Sequence, residues 1–464
     1  MTASGQTPAA TRPALRRGLK TLGTLLITLS AISPASSVFI IAPGVIGGAG
    51  TGAVWSFVAA GIVGIFMAFV YAELSSAFPL AGGEYAIAAR TLGRLPGFLV
   101  LGLMMVTQLL IVAVIALGVG TYLAVLFPGL HGPTVAAVTC VAAAVTAIFD
   151  IRLNAWVTGI FLAVEMLALL VVSALGFVRP ARSLTDVLVH PVVADGAGVV
   201  PASIGVIAVA TSVAIFAYNG YGSAVYFGEE TRDASRGIAR AILWALGITV
   251  LAELVPVTAV LLGAPDLGAL FGAENLMSYF LGARGGEALT TAVSLAVALA
   301  IINAVLAIVL ISSRMVFSSA RDEAWPGPVN RALGALHPRF GTPWMATLLT
   351  GAVGAALCYV DPELLLVVTG TSIVAVYATL CVASIAGRRN GSTAGGAYRM
   401  PWFPVAPVLA LAALAYVVYQ NALDARIGRP SLFVTAGIVL LALLYYVGVL
   451  RRRGEWVLRG PEPE

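Results

Sequence analysis

Charge is what this sequence has least of. Only 10% of its 464 residues are charged, and lysine occurs once, at Lys20, whereas an ordinary soluble domain is about 25% charged. Histidine and cysteine are also scarce, at three each. His131, His190 and His337 lie far apart, without metal-ligand spacing to any carboxylate, so no metal site is expected. Cys140, Cys358 and Cys381 sit inside apolar runs without CxxC spacing and read as small core residues. Nucleotide chemistry is missing as well. Lys20-Thr21 follows Ala14-Leu15-Arg16-Arg17-Gly18-Leu19, which lacks the Gly-x4-Gly phosphate cradle and excludes ATP-driven pumping by this chain alone. Gly82-Gly83 leads into Glu84 rather than a phosphate-binding helix start, and there is no nucleophile elbow with a companion His and acid. Neither catalytic residues nor a cofactor are expected.

Hydrophobic side chains make up 60% of the chain, and the mean hydropathy is +0.99. A spanning helix takes about 20 apolar residues, so such a chain furnishes on the order of a dozen spans. The expected fold class is an all-α polytopic membrane protein. Twelve apolar runs bounded by Pro, Gly and charge fall at 22–47, 53–77, 97–126, 133–149, 155–177, 202–228, 238–263, 287–318, 343–360, 363–386, 403–422 and 431–450, and these are spans 1 to 12. The first reads as a retained span rather than a signal peptide, because no small-residue cleavage site follows it.

The net charge of +5 comes from arginines scattered at the ends of these runs, which fits orientation in a bilayer and not nucleic-acid binding. With a cytoplasmic amino terminus, 21 of the 26 basic residues fall inside, leaving Arg179, Arg182, Arg284, Arg426 and Arg429 outside. Both termini are therefore expected in the cytoplasm of a cell-membrane protein.

Two spans are interrupted. Span 1 contains Ser33-Pro34-Ala35-Ser36-Ser37, where Pro34 removes a backbone donor and three hydroxyls can rebond the freed groups. Span 6 contains Tyr218-Asn219-Gly220-Tyr221-Gly222, two glycines beside an amide. Broken helices in corresponding halves point to a transporter site. They correspond if spans 1–5 and 6–10 form two five-helix units, the second necessarily inverted because five spans end on the opposite side. The expected organisation is a cytoplasmic tail 1–21, a first repeat 22–177, an extracellular loop 178–200, a second repeat 201–386, helices 11 and 12 in 387–450, and a cytoplasmic tail 451–464.

The stretch from Ala72 through Phe78-Pro79-Leu80-Ala81-Gly82-Gly83-Glu84-Tyr85 resembles the signature of the amino acid/polyamine/organocation permeases. Phe216 to Tyr221 running on to Glu229-Glu230-Thr231-Arg232 is similar to that family's span 6 and its cytoplasmic exit. Ser313-Arg314-Met315-Val316-Phe317 with Ala320-Arg321-Asp322 and Trp325-Pro326 is similar to the end of its span 8. The resemblance implies a leucine-transporter-type fold of two inverted five-helix repeats plus two helices. It also implies a substrate site at the two breaks, made by Ala35, Ser36, Ser37 and Val38 with Phe216, Asn219, Gly220 and Tyr221, Phe216 closing over the substrate. Two departures stand out. Ala35-Ser36-Ser37-Val38-Phe39 replaces the usual Gly-Ser-Gly-hydrophobic-Phe, whose bare backbone receives a substrate carboxylate, and Ala234 and Ala239 replace two prolines after span 6.

Glu165, in mid-span 5, has no basic residue in its span. An ionised carboxylate there costs about 2.5 to 3.5 kcal/mol on insertion scales, so it must be neutral, paired or facing water. The resemblance places it near a lysine that substitutes for sodium in proton-coupled relatives, which makes it the expected coupling-proton site. Glu253, before Val255-Pro256 in span 7, is either a second such acid or a partner for backbone groups freed by the proline. Asn303 in span 8 is a second coupling or ligand candidate, although bonding between helices is the commoner role for it and for Gln108. Thr369, Gly370, Thr371 and Ser372 line an outer gate or join helices. No acid lies within either break, which favours neutral amino acids over cations, while the substituted glycines leave mono- or polyamines open. The expected function is a secondary transporter of an amino acid or related amine, driven by protons in preference to sodium, or by exchange; the rival is a membrane substrate sensor without turnover.

Overall fold

The computed structural model describes residues 15–460 apart from 125, 126, 128, 197, 370, 455 and 457. Gly370, most of the amino-terminal tail and residues 461–464 therefore lie outside the described residues. Among those described, nine helical stretches are long and apolar enough to cross a membrane, including Thr21–Ala77, Arg94–Leu123, Ile151–Val178, Ala234–Gly263 and Leu276–Arg321. Gly132–Ala147 and Trp344–Leu357 are shorter apolar helices. The chain is thus a nearly all-helical, multi-pass membrane protein.

Length shows where the long stretches must bend. As one rod, the 57 residues of Thr21–Ala77 would reach about 85 Å, far beyond a hydrocarbon core of about 30 Å. The backbone leaves the helix at Ser33, with φ 50, and at Gly50, with φ 58, so the stretch accommodates spans 1 and 2. Leu276–Arg321 departs from helical geometry at Gly286, φ 78, one residue before span 8 was expected to begin.

Span 8 is central. It packs on spans 1, 3, 4 and 5, while span 1 packs on 5, 7 and 8. Large apolar side chains such as Trp156, Ile160, Leu170 and Phe433 are exposed on the outside of the bundle, as lipid contact requires. Polar segments collect at its ends. Leu19 N–H donates to Glu230 O and Arg232 N–H to Leu19 O, both at 2.9 Å. Arg152 reaches Gly18 O and Arg16 reaches Arg339 O at the same end.

The all-α expectation needs one correction. In the loop after span 5, Val192–Asp195 pairs antiparallel with Gly198–Pro201, Val193 opposite Val200. The signal is in the sequence: a glycine between two Val-Val pairs marks a turn between β-branched strands, and Gly196 (φ 58) follows Asp195, the last paired residue of the first strand. The hairpin is fastened to the start of span 2, where Val192 N–H donates to Thr51 Oγ1 at 2.8 Å.

Candidate substrate and coupling site

The first helix of span 1, Thr21–Ile32, ends at Ser33 in a left-handed conformation (φ 50, ψ 76), and a new helix begins at Pro34. Proline suits a first helical position, since its missing N–H would be unpaired there. The next N–H groups are orphaned, at the positive end of the new helix dipole. Glu165 of span 5 takes that place. Its Oε1 accepts from Ala35 N–H at 2.7 Å and from Ser33 Oγ at 3.0 Å. Ser33 and Ser36 share a hydroxyl contact of 2.6 Å, while Ser37 Oγ donates to Ala217 O of span 6 at 2.9 Å. The three hydroxyls expected to rebond the break therefore divide between holding Glu165 and tying span 1 to span 6. Ala35 and Val38 are wholly buried.

Span 6 is helical over Ile204–Ala217 and resumes as tight turns over Tyr221–Phe227. Between them Gly220 has φ 119, and a Cβ there would stand 2.8 Å from Ile32 Cγ1. Only glycine fits this backbone and this approach, so the two breaks lie against each other. Asn219 Oδ1 accepts from the hydroxyl of Tyr377 in span 10. Tyr71 meets both Tyr221 and Tyr377 edge-on, with centroids at 6.1 and 5.5 Å. Phe216 and Asn219 line a cavity of about 20 Å³ with Tyr377 and Leu414, room for a water and not for a substrate. Asn303 sits at the first half of span 1, donating to Ser30 Oγ at 2.9 Å and Thr158 O at 3.1 Å; it joins spans 8, 1 and 5.

The three signature stretches meet at one end of the bundle. Glu230 and Arg314 form a two-pronged ion pair at 2.8 and 3.0 Å, essentially without exposure. Glu229 pairs with Arg321 at 2.6 Å and accepts from Ala81 N–H at 3.0 Å. Gly83, φ 56, leaves room for Tyr226, whose Cε1 would lie 2.7 Å from a Cβ. Tyr85 donates to Asp322 Oδ2 at 2.8 Å, and Arg388 holds Glu73 at 2.6 Å. The amino acid permease family profile matches residues 19–447, the whole of this framework.

The chain belongs to the amino acid permease family. It is 32% identical over 349 residues to an uncharacterized transporter of Mycobacterium tuberculosis, 74% of each chain. The methylthioribose transporter of Bacillus subtilis is 26% identical over 395 residues, 80% of this chain and 81% of that one. A branched-chain amino acid permease of Bacillus subtilis is 25% identical over 411 residues, 86% of each. These are transporters, and none is described as an enzyme.

For Glu253 of this permease the sequence leaves two readings, a second intramembrane acid or a partner for the backbone freed by Pro256. In space it stands beside Ser37, within electrostatic reach of Glu165 and Tyr218. It bonds none of the backbone freed by Pro256, since both carboxylate oxygens lack a hydrogen-bond partner. The observation that no acid lies within the breaks holds for the sequence and fails for the fold, because spans 5 and 7 each bring one. The hydroxyl cluster of span 10 ties helices together: Thr371 Oγ1 donates to Ser431 O at 2.8 Å and Thr371 N–H to Ser431 Oγ at 2.9 Å. Tyr377 carries no motif, and nothing local in the sequence marks it as a partner of the breaks.

Proposed function

We propose that this permease is a secondary active transporter of an amino acid or related amine in the cytoplasmic membrane, coupled to protons through Glu165 or working by exchange. Spans 1–5 and 6–10 form two inverted repeats, spans 11 and 12 lie outside them, and both termini are cytoplasmic. The substrate occupies the facing breaks, against Ala35, Ser36, Ser37 and Val38 on one side and Phe216, Asn219, Gly220 and Tyr221 on the other. Asn303 steadies span 1 below.

One observation carries the reading: a buried carboxylate from span 5 is bonded to the first free N–H of the broken span 1. An ionised carboxylate is a strong acceptor there, and a neutral acid is a weaker one. Protonation therefore loosens the second half of span 1 from span 5, and loss of the proton refastens it. Substrate movement is thereby linked to a proton.

The test is uptake in proteoliposomes. Glu165→Gln fixes the neutral form, so accumulation should lose its dependence on an imposed pH gradient, while exchange between equally loaded compartments persists. Sodium-driven accumulation that survives Glu165→Gln would sink the mechanism. Substrate binding without any counterflow would instead establish a sensor.

A further inference from the structure

Around the two breaks, the buried carboxyl groups have no positive partner among the described residues. Glu253 is wholly buried, and both of its oxygens lack a hydrogen-bond partner. Ser37, beside it, gives its proton to Ala217 O at 2.9 Å. Tyr218 is 1% exposed; its hydroxyl also lacks a partner and lies within electrostatic reach of Glu253. The groups acting on the two carboxylates are Ala35, Ser33, Ser37 and, for Glu253, the Glu165 carboxylate itself. No arginine, lysine or histidine is among them. A carboxylate and a phenol of this kind, sealed from water, form a seat for a cation with hydrogens to donate.

The opposite seat is filled. Ala35 N–H, where a substrate carboxylate would dock at a helix start, already holds the protein's own carboxylate at 2.7 Å. A zwitterionic substrate would bring a third carboxylate beside Glu165 and Glu253, and like charges so placed select against it.

Building on the reading of the breaks as the substrate site, we propose that the substrate is a cationic amine without a carboxylate, its ammonium group held between Glu253 and the Tyr218 hydroxyl. Three ammonium hydrogens match the free oxygens of Glu253 and Tyr218, and Glu165 stays in place on Ala35.

Binding to the purified full-length protein in detergent tests this with matched pairs: leucine and 3-methylbutylamine, phenylalanine and 2-phenylethylamine, ornithine and putrescine. In at least one pair the amine should bind tenfold or more tighter than its amino acid. Glu253→Gln should weaken that amine by at least tenfold, and Tyr218→Phe, which keeps the ring, should weaken it less. Glu165→Ala, which vacates Ala35 N–H, should narrow the gap by improving the amino acid. An amino acid that binds while its amine does not would overturn the amine assignment and leave the transporter reading standing. Unchanged amine affinity in both Glu253→Gln and Tyr218→Phe would also overturn it. If no member of any pair binds, both readings of the breaks fall.

Discussion

Gly220→Ala is a small change at the point where the two broken spans touch. Its φ of 119 is one that an L side chain rarely adopts, a strain of about 1 to 3 kcal/mol. The added Cβ would stand 2.8 Å from Ile32 Cγ1 and 3.3 Å from Ile32 Cα. Ile32 is buried, so relief requires span 1 to shift, and overpacking of this kind costs about 1 to 3 kcal/mol. Together the substitution should destabilise the protein by roughly 2 to 6 kcal/mol. Because Ile32 precedes Ser33, the shift also reaches the hydroxyl that holds Glu165, and substrate affinity should fall with stability. Gly47→Ala is the control: its Cβ meets nothing within 4 Å, it lies in the helix Ala42–Ala49, and it should be neutral or gain about 0.5 to 1 kcal/mol. Thermal unfolding with substrate binding on the same samples decides. A Gly220→Ala protein that melts and binds like wild type would refute the facing-break geometry, and Gly220→Leu should abolish binding outright.

Other outcomes follow from the polar end of the bundle. Arg314→Met leaves Glu230 buried and uncompensated, and should destabilise by about 3 to 5 kcal/mol, whereas Glu230→Gln with Arg314→Met should recover most of that in thermal unfolding. Burial pushes the Asp322 carboxyl up from its ordinary 3.8 to about 6. Its contribution to stability is therefore greatest below pH 3.8 and is lost as pH rises to 6, by at most about 3 kcal/mol; Asp322→Asn should flatten the fall in unfolding temperature between about pH 4 and 6. Single cysteines at positions 190 and 390 should label from opposite sides of the membrane, and labelling from one side would defeat the proposed topology.

What could be read in the sequence was what is local in it. Spans follow from runs of apolar residues, and both breaks follow from Pro34 and Gly220 within them. The hairpin after span 5 is equally local, a glycine turn between two Val-Val pairs. Contacts across the bundle were not legible. Ala35 and Glu165 are 130 residues apart, and Asn219 and Tyr377 are 158 apart, with no spacing rule to join them. The signature stretches contain Glu229, Glu230, Arg314 and Arg321, yet their pairing needs the fold. Adjacent glutamates point to different neighbours, whereas arginines seven apart share a helix face, so Glu230 meets Arg314 and Glu229 meets Arg321.

A break in a membrane helix leaves backbone groups that lipid cannot satisfy, so every such break must be completed by side chains, by water or by what is carried. Here the two breaks are completed differently. Span 1 is closed from within by Glu165 on Ala35 N–H, whereas at span 6 the backbone carbonyl of Ala217 is taken by Ser37 and the Asn219 side chain by Tyr377. The buried groups without hydrogen-bond partners near the breaks include both oxygens of Glu253, the Tyr218 hydroxyl and Oε2 of Glu165. On the proposed reading, free acceptors at the breaks select cargo by positive charge. The carboxylate that shuts span 1 has a second consequence on that reading: protonation of Glu165 weakens its hold on Ala35 N–H, so the helix start changes partners when the proton binds, and cargo of one charge is tied to the movement of another.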